Sequence, residues 1–201
     1  RHQTRREWMP YEQKQTVFEL AGKTMVLIGV GAIGRRTAQV ADAFGMRVLG
    51  VRRSPEKYVP GVETMFGPDR LLDVLPEADF VIVTAPLTSE TRKMIGEQEL
   101  RALKPTAYLI NIGRGGIIDE RALIHALDEG WIAGAGLDVF EEEPLPEDSP
   151  LWDADNVIIT AHYAGITPVY DERAMAIFLD NLLRYRAGKP LRNVVDRQLG
   201  Y

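Results

Sequence analysis

Cysteine is absent from this chain of 201 residues. That excludes disulfides and thiolate metal sites, and it fits a cytoplasmic protein. An excess of one charge is lacking as well: 24 Lys and Arg stand against 29 Asp and Glu, a formal charge of −5, with no long run of either sign. A nucleic-acid partner, which needs a basic face, is therefore not expected. Long apolar runs are also missing. Phe80–Leu87 and Tyr108–Ile112 fall well short of the roughly 18 to 20 residues that span a bilayer, so no membrane association is expected. Arg1–Trp8 is polar and basic without an apolar core, unlike a secretory leader. The chain opens without Met and in mid-pattern, so targeting information ahead of it is left open. What is present is ordinary for a globular chain able to bury a core, with 45% apolar and 26% charged residues.

Short apolar runs alternate with helical patterns. Met25–Ile28, Arg47–Val51, Phe80–Thr84, Ala107–Ile112, Gly134–Val139 and Val157–Thr160 read as strands. Helical spacing is predicted for Arg35–Phe44, Arg70–Leu75, Thr88–Leu103 with a break near Gly96, Glu120–Glu129 and Pro168–Arg186. On the last of these, Ala174, Ile177, Phe178, Leu182 and Tyr185 share a face. Strands alternating with helices imply βαβ units, a parallel sheet and right-handed crossovers, hence an α/β, Rossmann-type doubly wound fold.

Gly29-Val30-Gly31-Ala32-Ile33-Gly34 lies between the first strand and the first helix. In that context Gly29 permits a tight turn. Gly31 lets backbone approach a pyrophosphate, and Gly34 lets the helix pack closely on the strand. The phosphates would sit on the N-terminal amides of the helix, where its dipole favours an anion. The bland alternative is a turn that only needs flexible backbone. On this reading residues 1–20 are an arm or linker helix, 21–166 a dinucleotide-binding domain, and 167–201 a closing helix and tail.

The end of the second strand bears on cofactor choice. An acid there would hold the ribose 2′-hydroxyl of NAD. This strand instead ends Val51-Arg52-Arg53-Ser54, with no carboxylate. Two guanidinium groups and a hydroxyl suit a 2′-phosphate, so NADP is expected, with NAD left open. The alternative is a pair of solvated surface arginines.

Four further stretches resemble the D-specific 2-hydroxyacid dehydrogenases: Thr84–Thr88 with Thr91; Asn111–Gly116 followed by Asp119-Glu120; Gly136–Pro144; and Thr160–Gly165. The resemblance implies nicotinamide-dependent reduction of a small 2-keto acid, or the reverse, of the glyoxylate or hydroxypyruvate type. It also implies catalytic positions at Arg114, Glu143 and His162. Residue chemistry supports those roles. The forming alkoxide needs a proton, and histidine titrates near neutrality. A carboxylate at Glu143 would orient His162 and keep it protonated. A bidentate guanidinium at Arg114 suits the substrate carboxylate and polarises the keto oxygen. The resemblance further implies cofactor contacts from Ala32 and Ile33 at the pyrophosphate and from Ala85, Pro86 and Thr91 along the adenosine. Ile112 and Gly113 would lie beneath the nicotinamide, and Asp138 at its carboxamide.

Blander readings stand beside these. Arg114 could be a structural loop arginine and His162 a satisfied histidine at a strand end. His2 and His125 read as a terminus and a helix residue, and Glu141 and Glu142 as a solvated acidic run. Family members carry about 100 residues ahead of this region, forming most of a substrate domain. Their absence here predicts a chain that binds cofactor but turns over poorly alone. The segment after about residue 170 would return toward that missing domain. Tyr163 is bulky for its position and would narrow the substrate site or cover the nicotinamide. A homodimer is expected, with Trp8 and Tyr11 of the arm either as interface aromatics or packed on their own domain. 3-Phosphoglycerate, phosphite and formate dehydrogenases share the scaffold; Arg52 argues against the first, and the retained Glu143 against the formate enzymes. A different class, the dinucleotide-sensing corepressors, uses the same scaffold as a protein-binding module.

Overall fold

The computed structural model describes residues 17–197 together with Arg6, Trp8 and Gly200. Seven parallel strands form one sheet: β1 (Thr24–Ile28), β2 (Arg47–Val51), β3 (Thr64–Phe66), β4 (Phe80–Val83), β5 (Tyr108–Asn111), β6 (Gly134–Leu137) and β7 (Val157–Ile159). Their spatial order is β3-β2-β1-β4-β5-β6-β7. The order reverses between β1 and β4, which pair from Met25↔Phe80 to Ile28↔Val83. That reversal opens a crevice at the carboxyl ends of the strands, where doubly wound sheets bind ligands.

The helices are α1 (Ala32–Ala43), α2 (Leu71–Val74), α3 (Glu97–Ala102), α4 (Glu120–Asp128) and α5 (Tyr170–Arg186). Strand β1 is buried along its whole length, which its unbroken TMVLI run requires of a strand covered on both faces. One apolar core gathers Leu71, Leu100, Leu123 and Leu127 with the strand residues Val26, Val81 and Leu109. A second, beneath α1, gathers Ala38, Ala41, Leu27, Val48 and Ile82. Alanines on α1 let that helix lie close to the sheet, and Gly45 at φ 72° ends it. Asp119 caps α4, its Oδ1 accepting from the Ala122 N–H at 3.3 Å.

Two expectations need correction. The predicted helix over 88–103 forms only as α3. Before it, Thr88 and Thr91 bond each other's backbone: the Thr88 N–H donates to Thr91 Oγ1 at 2.8 Å, and Thr91 Oγ1 donates to the Pro86 carbonyl at 2.7 Å. Hydroxyls that capture local backbone groups in this way compete with the helix. Lys93 then takes a left-handed conformation at φ 51°. Strand β3 was not expected, because three residues at a sheet edge carry too little periodicity to be seen.

Most of the expected arm, including Tyr11, lies outside the described residues. Phe18 is described, and its ring lies 5.8 Å from those of Phe80 and Tyr108. The expected closing helix does form, as α5, but none of its residues is buried, and Phe178 is 60% exposed. No described helix is long and apolar enough to cross a membrane.

Candidate active site

Two cavities open at the carboxyl ends of the strands. The larger, about 600 Å³, is lined by Gly29, Gly31, Arg52, Arg53, Ser54, Ala85, Pro86 and Thr91 among others. It lies at the β1/β4 switch and has the size of a cofactor site. The glycines differ in what they permit. Gly29 has φ 93°, and a β-carbon on it would stand 2.5 Å from the Ala85 nitrogen. A β-carbon on Gly34 would stand 2.3 Å from the Gly29 carbonyl oxygen, so α1 could not pack where it does. A β-carbon on Gly31 would meet nothing within 4 Å beyond its own chain neighbours, and Gly31 lines the cavity. Gly31 also precedes α1, whose first amides have no side-chain cap.

Arg52 is half-buried, and its Nη1 is buried without a hydrogen-bond partner. Buried donors are normally satisfied, so an orphan of this kind calls for an absent acceptor. Arg53 is differently placed, with its Nη1 3.9 Å from Glu90 Oε2. Asp69 and Glu90 also border this cavity.

The smaller cavity, about 380 Å³, brings Arg114, Glu143 and His162 together. Glu143 Oε2 lies 2.6 Å from His162 Nδ1. The other carboxylate oxygen, Oε1, accepts from the Phe140 N–H at 3.0 Å. Burial would push the Glu143 carboxyl up; the hydrogen bond with His162, the Phe140 N–H and the charges of His162 and Arg114 outweigh it and hold the group below its ordinary range. Arg114 follows β5 on a turn fastened by Asn111, which is 1% exposed. The Asn111 side chain accepts from the Gly113 N–H and donates to the Arg114 carbonyl, both at 3.0 Å. An Asn at a strand end, able to bond the backbone two residues on, is a recognised turn former, and that signal was available in the sequence.

His162 adopts φ 51°, an uncommon conformation for a residue with a β-carbon. Asp138, 4% exposed, holds it there. Its Oδ1 accepts from Thr160 Oγ1 at 2.6 Å and from the Tyr163 N–H at 3.0 Å, and its Oδ2 accepts from the Ala164 N–H at 3.0 Å. The His162 N–H donates to the Asp138 carbonyl at 2.8 Å. Burial raises the Asp138 carboxyl, but these donors and the His162 charge bring it below its usual range.

Ala32, Ile33, Gly34, Ile112, Gly113 and Asp138 line neither cavity. Gly34 serves helix packing instead. Gly113 packs against Ala85, where a β-carbon on it would stand 2.8 Å from the Ala85 carbonyl oxygen, and the Ile112 N–H donates to the Val83 carbonyl at 3.2 Å. Tyr163 lines neither cavity and is 52% exposed. Sequence reasoning did not anticipate Arg92, Lys93, Phe140 and Glu141 in the smaller cavity. Glu141 is exposed, as expected, but is also bonded to α4 and to Lys93.

Residues 1–164 match the family model described as D-isomer specific 2-hydroxyacid dehydrogenase, NAD binding domain. The chain is 41% identical over 185 residues to a glyoxylate reductase of Korarchaeum cryptofilum and 44% identical over 183 residues to one of Aeropyrum pernix. Each alignment covers 90% of this chain and 54% of the relative, so the chain spans about half the length of these relatives. Among solved structures, a D-isomer specific 2-hydroxyacid dehydrogenase from Xanthobacter autotrophicus, in complex with NADPH and MES, superposes with a TM-score of 0.87 at 37% identity. The superposition covers 100% of this chain and 80% of that one. An NADPH-dependent glyoxylate/hydroxypyruvate reductase from Sinorhizobium meliloti, in complex with NADP and sulfate, gives a TM-score of 0.87 at 32% identity, covering 100% of this chain and 62% of that one. With its glycine loop, its β1/β4 crevice and a family match running through His162, the chain belongs to the D-isomer specific 2-hydroxyacid dehydrogenases, of which it carries the NAD-binding domain.

Proposed function

We propose that this chain is the cofactor-binding half of an oxidoreductase that transfers a hydride between NADP(H) and a small 2-keto or 2-hydroxy acid. The observation that carries the reading is the 2.6 Å contact of Glu143 with His162 in the cavity that also holds Arg114. The nicotinamide, when bound, supplies or accepts the hydride. The remaining chemistry falls to the chain. Glu143 engages Nδ1 and fixes the ring, which leaves Nε2 to give a proton to the substrate oxygen or take it back. Arg114, permanently charged, binds the substrate carboxylate and stabilises charge on the keto oxygen.

The cofactor fits the residues present. Gly29, Gly31, Ala32, Ile33 and Gly34 form the turn that would receive the pyrophosphate, where a β-carbon on Gly31 would meet nothing within 4 Å beyond its chain neighbours. Arg52, with Arg53 and Ser54, would hold a 2′-phosphate, and the unpartnered Arg52 Nη1 supports NADP over NAD. Ala85, Pro86 and Thr91 would flank the adenosine, and Ile112 and Gly113 would support the nicotinamide side. Asp138 accepts two protein hydrogen bonds at Oδ1 and one at Oδ2, so Oδ2 keeps an acceptor site and a carboxamide contact there is compatible with its place in the 160–164 turn. The NADPH and NADP of the Xanthobacter and Sinorhizobium structures agree with this preference. Glyoxylate or hydroxypyruvate is the proposed substrate type, and a homodimer the proposed assembly.

Titration with NADPH and NADH, read by nicotinamide fluorescence, tests the cofactor site. NADPH is expected to bind tighter, and Arg52→Asp to weaken NADPH selectively. Equal affinities in the unaltered chain would remove the 2′-phosphate assignment. Keto-acid-dependent NADPH oxidation, assayed in a protein carrying both domains, tests the reaction, and His162→Gln should abolish it.

A further inference from the structure

Glu143 stands on a segment, residues 138–144, that belongs to no helix or strand. A 2.6 Å contact with His162 requires that segment to be held. We propose that Glu141, clasped by the first turn of α4 and by Lys93, is the positioning residue that holds Glu143 against His162. The proposal rests on reading that pair as the proton-handling one.

The clasp is reciprocal. The Glu141 N–H donates to Glu120 Oε2 at 3.1 Å, and the Glu120 N–H donates to Glu141 Oε1 at 3.2 Å. Glu141 is thus fixed through both its main chain and its side chain. Lys93 Nζ lies 3.4 Å from Glu141 Oε1 and donates to Asp119 Oδ2 at 3.0 Å. Lys93 is itself anchored, at φ 51°, with its N–H donating to the Gly116 carbonyl at 2.8 Å. The turn before α3, the Arg114 turn, the start of α4 and the Glu143 segment therefore meet at one lysine. The hydrogen bond to Asp119 and the charge of Glu141 both raise the Lys93 pKa, in keeping with this geometry.

From Glu141 the constraint passes to the catalytic pair in one step. The neighbouring Phe140 N–H donates to Glu143 Oε1 at 3.0 Å, leaving Oε2 for His162. Three consecutive glutamates thus do different things. All three are exposed, but Glu141 is tied to the fold and Glu143 to the histidine, while Glu142 makes neither contact. Releasing Glu141 would let the segment shift, and a displacement of about 1 Å at a reacting group can cost on the order of 100-fold in rate.

The test reads His162 directly. In ¹⁵N-histidine-labelled chain, an Nδ1–H donating to a carboxylate gives a far-downfield proton resonance, assigned by its loss in His162→Gln. The unaltered chain and Glu142→Ala should both show it. Glu141→Ala should lose or broaden it while melting within a few degrees of the parent, and Lys93→Met should weaken it. A full-strength resonance in Glu141→Ala, equal loss in Glu142→Ala, or no resonance in the parent would each overturn the proposal. If Glu141→Ala does not fold, Lys93→Met and Glu120→Gln decide, and parental signals in both would overturn it. The readout needs neither cofactor nor turnover. The expected pattern, together with absent keto-acid reduction in the two-domain protein, would remove the reaction and leave the positioning role standing.

Discussion

Gly115 and Phe140 are in backbone contact: a β-carbon on Gly115 would stand 1.8 Å from the Phe140 carbonyl carbon and oxygen. Nothing flexible lies in the way, so any side chain there must push main chain against main chain. The contact joins the turn that carries Arg114 to the segment that carries Glu143. Gly115→Ala is therefore expected to destabilise the domain by roughly 1–3 kcal/mol, the usual cost of overpacking. At this chain length that is a fall in melting temperature of about 2–12 °C. An unchanged thermal melt would show that the two loops separate freely and that their contact does not fix the site.

The three glycines of the loop should respond differently. Gly34→Ala places a methyl 2.3 Å from the Gly29 carbonyl oxygen and should lower stability before it affects binding. A β-carbon on Gly31 meets nothing within 4 Å beyond its own chain neighbours, and its φ is negative, with ψ −149° at the rim of the extended region. The Gly31→Ala melt should stay within a few degrees of the parent's, the narrower unfolded ensemble of alanine offsetting the unusual ψ. NADPH affinity should nonetheless fall by about tenfold or more, since the methyl occupies the space proposed for the pyrophosphate. Paired melts and fluorescence titrations check this. Undiminished NADPH binding by Gly31→Ala would place the phosphates elsewhere.

The contrast between these glycines shows what could be read from sequence. Glycine spacing and the run of apolar strands carried the sheet and its crevice, because burial on both faces leaves a continuous apolar signature, as along β1. Arg114, Glu143 and His162 were found as family positions, and the structure brings them into one cavity. Thr88 and Thr91 misled, since their hydroxyls bond local backbone and abolish a helix that spacing alone allowed. The place of Glu141 was illegible for a different reason. Its partners, Lys93 and Glu120, lie far off in sequence, and three adjacent acids look alike until the fold sets each against a different neighbour.

Acid should loosen the site in a defined direction. Asp138 and Glu143 have folded-state pKa values below their ordinary 3.8 and 4.5. Each therefore contributes stability that is complete above those values and is lost as pH falls through the lower folded values. Denaturant melts at pH 7, 5 and 3.5 should show little change between the first two and a drop at the third. Asp138→Asn should cost about 1–3 kcal/mol at pH 7, because its amide nitrogen cannot accept from the buried donors of the 160–164 turn. It should also flatten the drop at pH 3.5. A variant with the parent's acid limb would assign that limb to other carboxylates, with Asp79 and Asp119 the next candidates.

The isolated chain should bind cofactor and yet reduce keto acids poorly. Both cavities are formed within it, so its affinity for NADPH should fall within about tenfold of that of a protein carrying both domains, where the same contacts are made. Turnover is a different matter. The smaller cavity, with Glu143 35% and His162 47% exposed at their side chains, lies open to water. Open water screens the Arg114 charge and competes for the substrate oxygen, whereas a closed site strengthens both interactions. The expected kcat/KM of this chain with glyoxylate or hydroxypyruvate is lower than that of the two-domain form by about 100-fold or more. Joining a substrate domain should restore kcat with little change in the NADPH Kd. Comparable turnover by the chain alone would mean that Arg114, Glu143 and His162 orient and desolvate substrate unaided, and that the exposed face of α5 has no part in closing the site.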